Sequence, residues 1–455
     1  MKYHTIVVGA GSGGLTVAVG LSKLGKRVAL VERRHVGGDC TNYGCIPSKT
    51  LIHESKGEEK DVLALVRLRR DHLRDEETEW VQELKNVDFK AGHARFLTPN
   101  SMEVVGEDGS SETLRTKNVV LATGSRPRKV EIEGLKPERT LTNETVFEQK
   151  APPAHLAIVG GGVIGMEMAF AFRRLGSRVS VIDRGQRVLK VSEPEVGDLL
   201  QKRMTSLGIE CFLQTLPERY EESSKTLFLK NGKRLAEVDK VLLAAGRLPN
   251  LDLDLDRVGV TSDERGIPTE AFGRTNVPNI FAVGDINHRS AFTHSANDQA
   301  RRLVKKLAFP FVPFKAKEPH YPSATFTDPE VAQVGPTLSE LLKAYPAKAI
   351  HTEKVALKDT DRGYTMGLSE GFLMIHSRVL TGELLSATIA APSAGEMISL
   401  LTFALNNGVT LYRLADLVFP YPVLSEAIKK AASAYMFHTL ATFPRQAFRY
   451  LRYRP

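Results

Sequence analysis

Short apolar runs punctuated by glycine recur along the chain in a fixed order. Ile6-Val7-Val8, Val28-Ala29-Leu30-Val31 and Val119-Val120-Leu121 occupy the first third, and Leu156-Ala157-Ile158-Val159, Val179-Ser180-Val181-Ile182 and Val241-Leu242-Leu243 repeat the series farther on. Runs this short, rich in β-branched residues and bounded by glycine, read as strands. Each first run is followed by a stretch of helical spacing, 15–24 in one copy and up to Leu175 in the other. Strand, helix, strand, twice over, predicts two Rossmann-like α/β units. Segment 54–84 is charge-rich with apolar residues at helical spacing, predicting one or two long amphipathic helices with the single Trp80 as a packing residue. Residues 143–153, with Pro152-Pro153, read as a linker. From about Tyr321 the pattern changes to strands at 348–357, 371–375 and 384–391, then helices at 395–406 and 425–441, which predicts a separate α+β domain.

The turns after the first strands carry the chemistry. Gly9, Gly11 and Gly14 follow the first run and Glu32 stands 18 residues beyond Gly14; Gly160, Gly162 and Gly165 follow the fourth, with Asp183 again 18 residues on. Such a turn brings backbone N–H groups and a helix N-terminus against a pyrophosphate, and the acid takes a ribose hydroxyl pair. Two copies at equal spacing predict two dinucleotide sites. Each copy also ends in a strand closing on glycine, at Ala122-Thr123-Gly124 and Ala244-Ala245-Gly246, so whole domains are duplicated. A further run, Ile280-Phe281-Ala282-Val283-Gly284-Asp285, places a carboxylate where it can accept a bond from a ribityl or ribose hydroxyl.

Cys40 and Cys45 lie just past the first of these units, in Gly37-Gly38-Asp39-Cys40-Thr41-Asn42-Tyr43-Gly44-Cys45-Ile46-Pro47-Ser48-Lys49. Beside a dinucleotide site the pair reads as a redox-active disulfide next to a flavin; two buried thiols or half of a metal site is the plainer alternative. Three cysteines in 455 residues argue against a disulfide-stapled secreted scaffold and suit a reducing compartment; Cys211 reads as structural. The net charge of +9, from 62 basic and 53 acidic residues, favours anionic ligands such as nucleotides without implying nucleic acid. No apolar run approaches a membrane span, and the N-terminal apolar stretch runs directly into glycines, as a first strand and not a signal peptide would. The expected location is cytoplasmic.

Together these pieces resemble the pyridine nucleotide-disulfide oxidoreductases, flavoenzymes that include dihydrolipoamide dehydrogenase, glutathione reductase and mercuric reductase. The dithiol stretch, Ala122-Thr123-Gly124, Ala245-Gly246-Arg247-Leu248-Pro249-Asn250 and Ala282-Val283-Gly284-Asp285 carry the likeness, which spans about residues 5–435. It implies an FAD domain at 1–149 and 273–318, an NAD(P)H domain at 150–272, an interface domain at 319–442 that makes a homodimer, and a basic-aromatic tail at 443–455. It also implies roles. Cys45 matches the thiol that contacts the flavin, Cys40 the one that attacks a disulfide or related substrate, and Lys49 and Glu167 an ion pair at the flavin. Gly38 joins the glycines, Ala122, Thr123, Gly124, Gly246 and Asp285 among the cofactor-binding positions.

The chain departs from the disulfide-reducing members at one position. They carry a His five residues before a Glu as acid and base; here Glu426 is present but Tyr421 stands in the His position. A phenol of ordinary pKa about 10 is a poor base at neutral pH. Phe419-Pro420-Tyr421 is similar to mercuric reductase, yet no cysteine follows Cys211, so the C-terminal pair that delivers the ion there is missing. The resemblance implies a two-electron reductase, with soft-metal reduction and non-catalytic redox sensing as alternatives. Asp183 favours NADH and the adjacent Arg184 favours NADPH, with a slight lean to NADPH. The tail, with Arg445, Arg449, Arg452 and Arg454 among aromatics, is either a terminal helix packed on the protein or a membrane-surface contact.

Overall fold

The structure, a computed structural model, describes residues 2–287, 289–315 and 317–443. Arg445, Arg449, Arg452 and Arg454 of the tail therefore lie outside the described residues.

The first sheet is built on parallel strands in the order Val87–Ala91, Val28–Glu32, Lys2–Val8 and Ser111–Leu121, with Ile280–Ala282 pairing beyond the last. Ser111–Leu121 is long because its two halves do different work. Its C-terminal half pairs in parallel with Lys2–Val8, while its N-terminal half begins an antiparallel meander through Ser101–Val105 and His93–Thr98. Residues Ile6, Val7, Leu30, Val119 and Val120 are wholly buried, as strands covered on both faces must be.

The second sheet repeats the plan with Glu210–Phe212, Arg178–Ile182, His155–Val159, Lys240–Leu243 and the edge strand Thr140–Leu141, all parallel. That edge strand precedes residue 150, so the second sheet draws on chain ahead of the expected linker. The duplication extends to individual bonds. Gly9 N donates to Val31 O and Gly160 N to Ile182 O, each at 2.8 Å; Ala122 N donates to Val8 O and Ala244 N to Val159 O, each again at 2.8 Å.

The third layer is an antiparallel sheet in the order Ser323–Thr325, Glu330–Val334, Leu384–Ala391, Phe372–Arg378 and Ile350–Ala356, backed by helices Ala394–Asn406 and Glu426–Thr442. Thus the fold is α/β, with two Rossmann-like domains and a C-terminal α+β domain. The charge-rich segment forms a single long helix, Val62–Glu83, capped by Asp61, whose carboxylate accepts from Ala64 N at 3.0 Å. Trp80 is 44% exposed on it and not part of the core. No helix among the described residues is long and apolar enough to cross a membrane.

Helix Val163–Arg174 buries Met166, Met168, Ala169, Phe170, Ala171 and Phe172, so it is enclosed on nearly every side. It packs on its own sheet, on helix Cys45–Glu54 and on strand Ser323–Thr325. Truncating Phe170 there would cost about 3–5 kcal/mol through lost burial and a cavity. The same enclosure is what turns Glu167 inward.

Candidate active site

The dithiol segment is pinned from several directions. Cys40 lies in the short helix Gly38–Tyr43, and Cys45 opens helix Cys45–Glu54. Asn42 fastens the turn between them, its side-chain amide donating to Val36 O and Gly38 O, each at 2.9 Å. Thr41 donates to Glu77 of the long helix at 3.0 Å.

Both cysteines are half-buried free thiols, and Cys45 Sγ lies 3.3 Å from the Thr293 hydroxyl. Thr293 is itself the first residue of helix Thr293–Ala308, so the Cys45 sulfur stands at the positive ends of two helices. The Cys45 thiol is drawn down to about 6, first by the bond from Cys40 and then by Thr293 and the Lys49 charge, against the effect of burial. Cys40 moves the opposite way, because it donates to the Cys45 thiolate and is buried beside it. These opposite directions favour Cys45 as the thiolate of the pair and Cys40 as its proton donor. Cys211 lies apart on edge strand Glu210–Phe212, where burial pushes it up to about 11.

Lys49 projects one turn beyond Cys45 and meets Glu167, with Nζ 3.0 and 2.9 Å from the two carboxylate oxygens. Glu167 also accepts from Phe326 N at 3.0 Å, and the Phe326 ring lies 4.8 Å from the ammonium. A second chain of contacts runs from the dithiol toward Asp285. Arg247 donates to Asp39 at 2.9 Å and to the Ser125 hydroxyl at 2.7 Å, and that hydroxyl donates to Asp285 at 2.6 Å.

A cleft of about 340 Å³ opens beside these groups, lined by Gly9, Gly11, Glu32, Gly38, Asp39, Ala122, Thr123 and Gly124 among others. FAD fits this cradle. Gly38 has φ +59°, and a Cβ there would come within 2.7 Å of Gly11 Cα, so only glycine lets the two loops meet under a pyrophosphate. Glu32 is placed by accepting from Ala10 N at 2.7 Å and Arg34 N at 2.8 Å. In the second unit a Cβ on Gly162 would meet nothing within 4 Å, which leaves the approach to that helix N-terminus open for the nicotinamide dinucleotide. Asp183 there accepts from Gly161 N at 2.7 Å and Gly185 N at 2.6 Å, and Arg184 is exposed beside it.

Within one protomer the expected residues gather in two places. Cys40, Cys45, Lys49, Glu167 and the first glycine set converge. Tyr421 and Glu426 do not join them: Tyr421 is 70% exposed, and its hydroxyl donates to Asp361 at 3.0 Å, a bond that raises the phenol further. Sequence reasoning missed Thr293, Ser125 and the bonding role of Asp39, because each is distant in sequence from what it touches.

Residues 3–300 match the profile described as pyridine nucleotide-disulphide oxidoreductase, and residues 321–432 match the dimerisation domain of the same family. A dihydrolipoyl dehydrogenase of Chlamydia muridarum is 32% identical, covering 94% of this chain and 96% of that protein. The dihydrolipoyl dehydrogenase of Bacillus subtilis is 31% identical, over 95% and 96% of the two chains. Among solved structures, the HOCl-induced flavoprotein disulfide reductase RclA from Escherichia coli is similar at a TM-score of 0.86 and 26% identity, over 95% of this chain and 99% of that one. Its Cu(II) complex is similar at a TM-score of 0.88. A dithiol at a helix start, a doubled glycine turn and matches along nearly the whole length make this chain a member of the pyridine nucleotide-disulphide oxidoreductases, a family that works with FAD and NAD(P)H.

Proposed function

We propose that the protein is an NAD(P)H-dependent reductase that passes an electron pair through Cys40 and Cys45 to a disulfide or related electrophile. The setting of the dithiol carries this reading: Cys45 Sγ lies 3.3 Å from the Thr293 hydroxyl where two helices begin, and the Lys49 charge adds to the pull that draws its thiol down. When bound, FAD takes a hydride from the nicotinamide and returns two electrons to sulfur.

The chain's own residues do the rest. Lys49, fixed by Glu167, puts a positive charge near Cys45 and keeps it ionised. Cys40 Sγ bonds to one substrate sulfur as the substrate S–S bond breaks, and the Cys40 proton goes to the leaving thiolate. Cys45, still the thiolate, then attacks Cys40 Sγ, the second substrate thiolate leaves, and the pair ends as a disulfide, two electrons poorer. In this sequence the leaving thiolate takes up the proton for which Tyr421 is a poor acceptor.

The nicotinamide is NADPH in this reading. Both Asp183 oxygens already hold loop N–H groups, and exposed Arg184 can meet a 2'-phosphate. A soft-metal substrate is the second reading, favoured by two free thiols with four residues between them in the dithiol segment and by the Cu(II) complex of the similar RclA.

The test is NADPH and NADH oxidation with a panel of disulfides, Cu(II), Hg(II) and quinones, in wild type, Cys40→Ser and Arg184→Ala. The reading expects one disulfide-class acceptor lost in Cys40→Ser while artificial dyes are still reduced, and a raised KM for NADPH alone in Arg184→Ala. Turnover of metal ions only would favour the second reading. Turnover of dyes only, by wild type, would point to a sensing flavoprotein and sink both.

A further inference from the structure

Residues 301–317 contain Arg301, Arg302, Lys305, Lys306, Lys315 and Lys317 and no acidic residue, within a chain whose net charge is +9. Helix Thr293–Ala308 buries Ala296, Ala300, Leu303 and Val304, and it packs on helix Ser12–Lys23. Arg301 and Lys305 are left exposed. At its end the chain turns through Phe309-Pro310-Phe311-Val312-Pro313, where Phe311 is 98% exposed, Phe309 50% and Val312 44%. The tip is held in shape. Val312 N donates to Phe309 O at 3.1 Å, Lys306 Nζ donates to Pro310 O at 3.2 Å, and Arg302 closes the base by donating to Lys317 O at 2.8 Å.

Ordinary causes account for part of this. Asp298 pairs with Arg301 at 3.7 Å, and cations in a last helical turn complement its carbonyls. Neither accounts for Lys315 and Lys317 beyond the helix, or for a phenyl ring standing wholly in water. The segment also falls between the stretches matched to the family, 3–300 and 321–432.

We propose that this loop docks on an anionic lipid surface, with Phe309, Phe311 and Val312 entering the boundary between headgroups and acyl chains. The exposed Lys305, Lys315 and Lys317 ammonium groups face the lipid phosphates, each adding attraction within a Debye length. A second copy of the chain is a poor occupant. A two-fold contact would set this uniformly basic patch against itself.

The experiment is co-sedimentation of the full-length flavoprotein with phosphatidylcholine vesicles, with and without phosphatidylglycerol. Binding is expected only to the anionic vesicles and should fade with added salt. Phe309→Ser/Phe311→Ser and Lys315→Glu/Lys317→Glu should each weaken it about tenfold, with flavin content and dye reduction unchanged. A truncation after Thr442 separates the basic tail from the loop. Absence of vesicle binding overturns the proposal, as does binding lost on truncation but untouched by the loop variants. A change of oligomeric state in the Phe variants without vesicle binding would make the tip a protein contact and overturn it equally.

Discussion

Lys49 and Glu167 meet across the seam between the two nucleotide-binding sheets, with the ammonium 3.0 and 2.9 Å from the carboxylate oxygens. The lysine comes from the dithiol helix, the glutamate from the helix after the second glycine turn, and Phe326 N of the third layer donates to the same carboxylate at 3.0 Å. One buried acid thereby ties together three parts of the chain, and the charge near Cys45 depends on all of them.

Removing that acid leaves an ammonium and a backbone N–H without their acceptor. Glu167 is 4% exposed and Lys49 36%, so water relieves the lysine in part. Glu167→Ala is expected to cost about 2–3 kcal/mol. Glu167→Gln keeps an acceptor for Phe326 N and is expected to cost about 1 kcal/mol. Urea midpoints at unchanged m-value measure both, and equal losses in the two variants would contradict the carboxylate's role as a shared acceptor.

The glycine turns, the dithiol and the doubled strand–helix–strand units were legible in sequence because each rests on local spacing. Glu167 was legible only as a position two residues past Gly165; its burial depends on helix Cys45–Glu54 and strand Ser323–Thr325 closing over it. Thr293 and Ser125 gave no signal at all. Each is an ordinary hydroxyl made functional by a contact to a residue 248 or 160 positions away. Trp80 misled for the opposite reason, since helical spacing shows that a face exists but not whether a neighbour covers it.

Gly38 gives a test of the cofactor cradle. An alanine would have to adopt φ +59° and place its Cβ 2.7 Å from Gly11 Cα. The left-handed conformation alone costs about 1–2 kcal/mol, and the clash is with backbone, which must separate the two loops. Gly38→Ala is expected to purify with less than about a tenth of the wild-type flavin. The ratio of flavin to protein absorbance reads this directly, and full occupancy would refute the cradle.

Tyr421 offers a gain of function. Its hydroxyl binds Asp361 on an exposed surface, so Tyr421→Phe should leave the urea midpoint unchanged. Tyr421→His returns an imidazole five residues before Glu426. Turnover of lipoamide-type disulfides should then rise at least about tenfold, with a pH profile turning near 6–7. An unchanged rate would mean that this position does not reach the substrate.

The dithiol predicts a pH dependence whose sign can be worked out. In the unfolded chain both thiols titrate near about 8.5. Folding lowers Cys45 to about 6, first through the Cys40 hydrogen bond, so between those values the unfolded state holds a proton that the native state has released. Stability of the reduced protein should therefore rise with pH across that window, and fall as pH drops through about 6. Cys40 is shifted upward, so above about 8.5 the unfolded state loses a proton that the native state retains, and stability turns down again. Cys40→Ala removes both arms, because the donor that depresses Cys45 goes with it. Urea midpoints from pH 6 to 10, as the difference between wild type and Cys40→Ala under reductant, should show this maximum. Iodoacetamide alkylation should turn on near 6 in wild type and near the ordinary thiol range in the variant; coincident curves would show that Cys40 does not set the Cys45 charge.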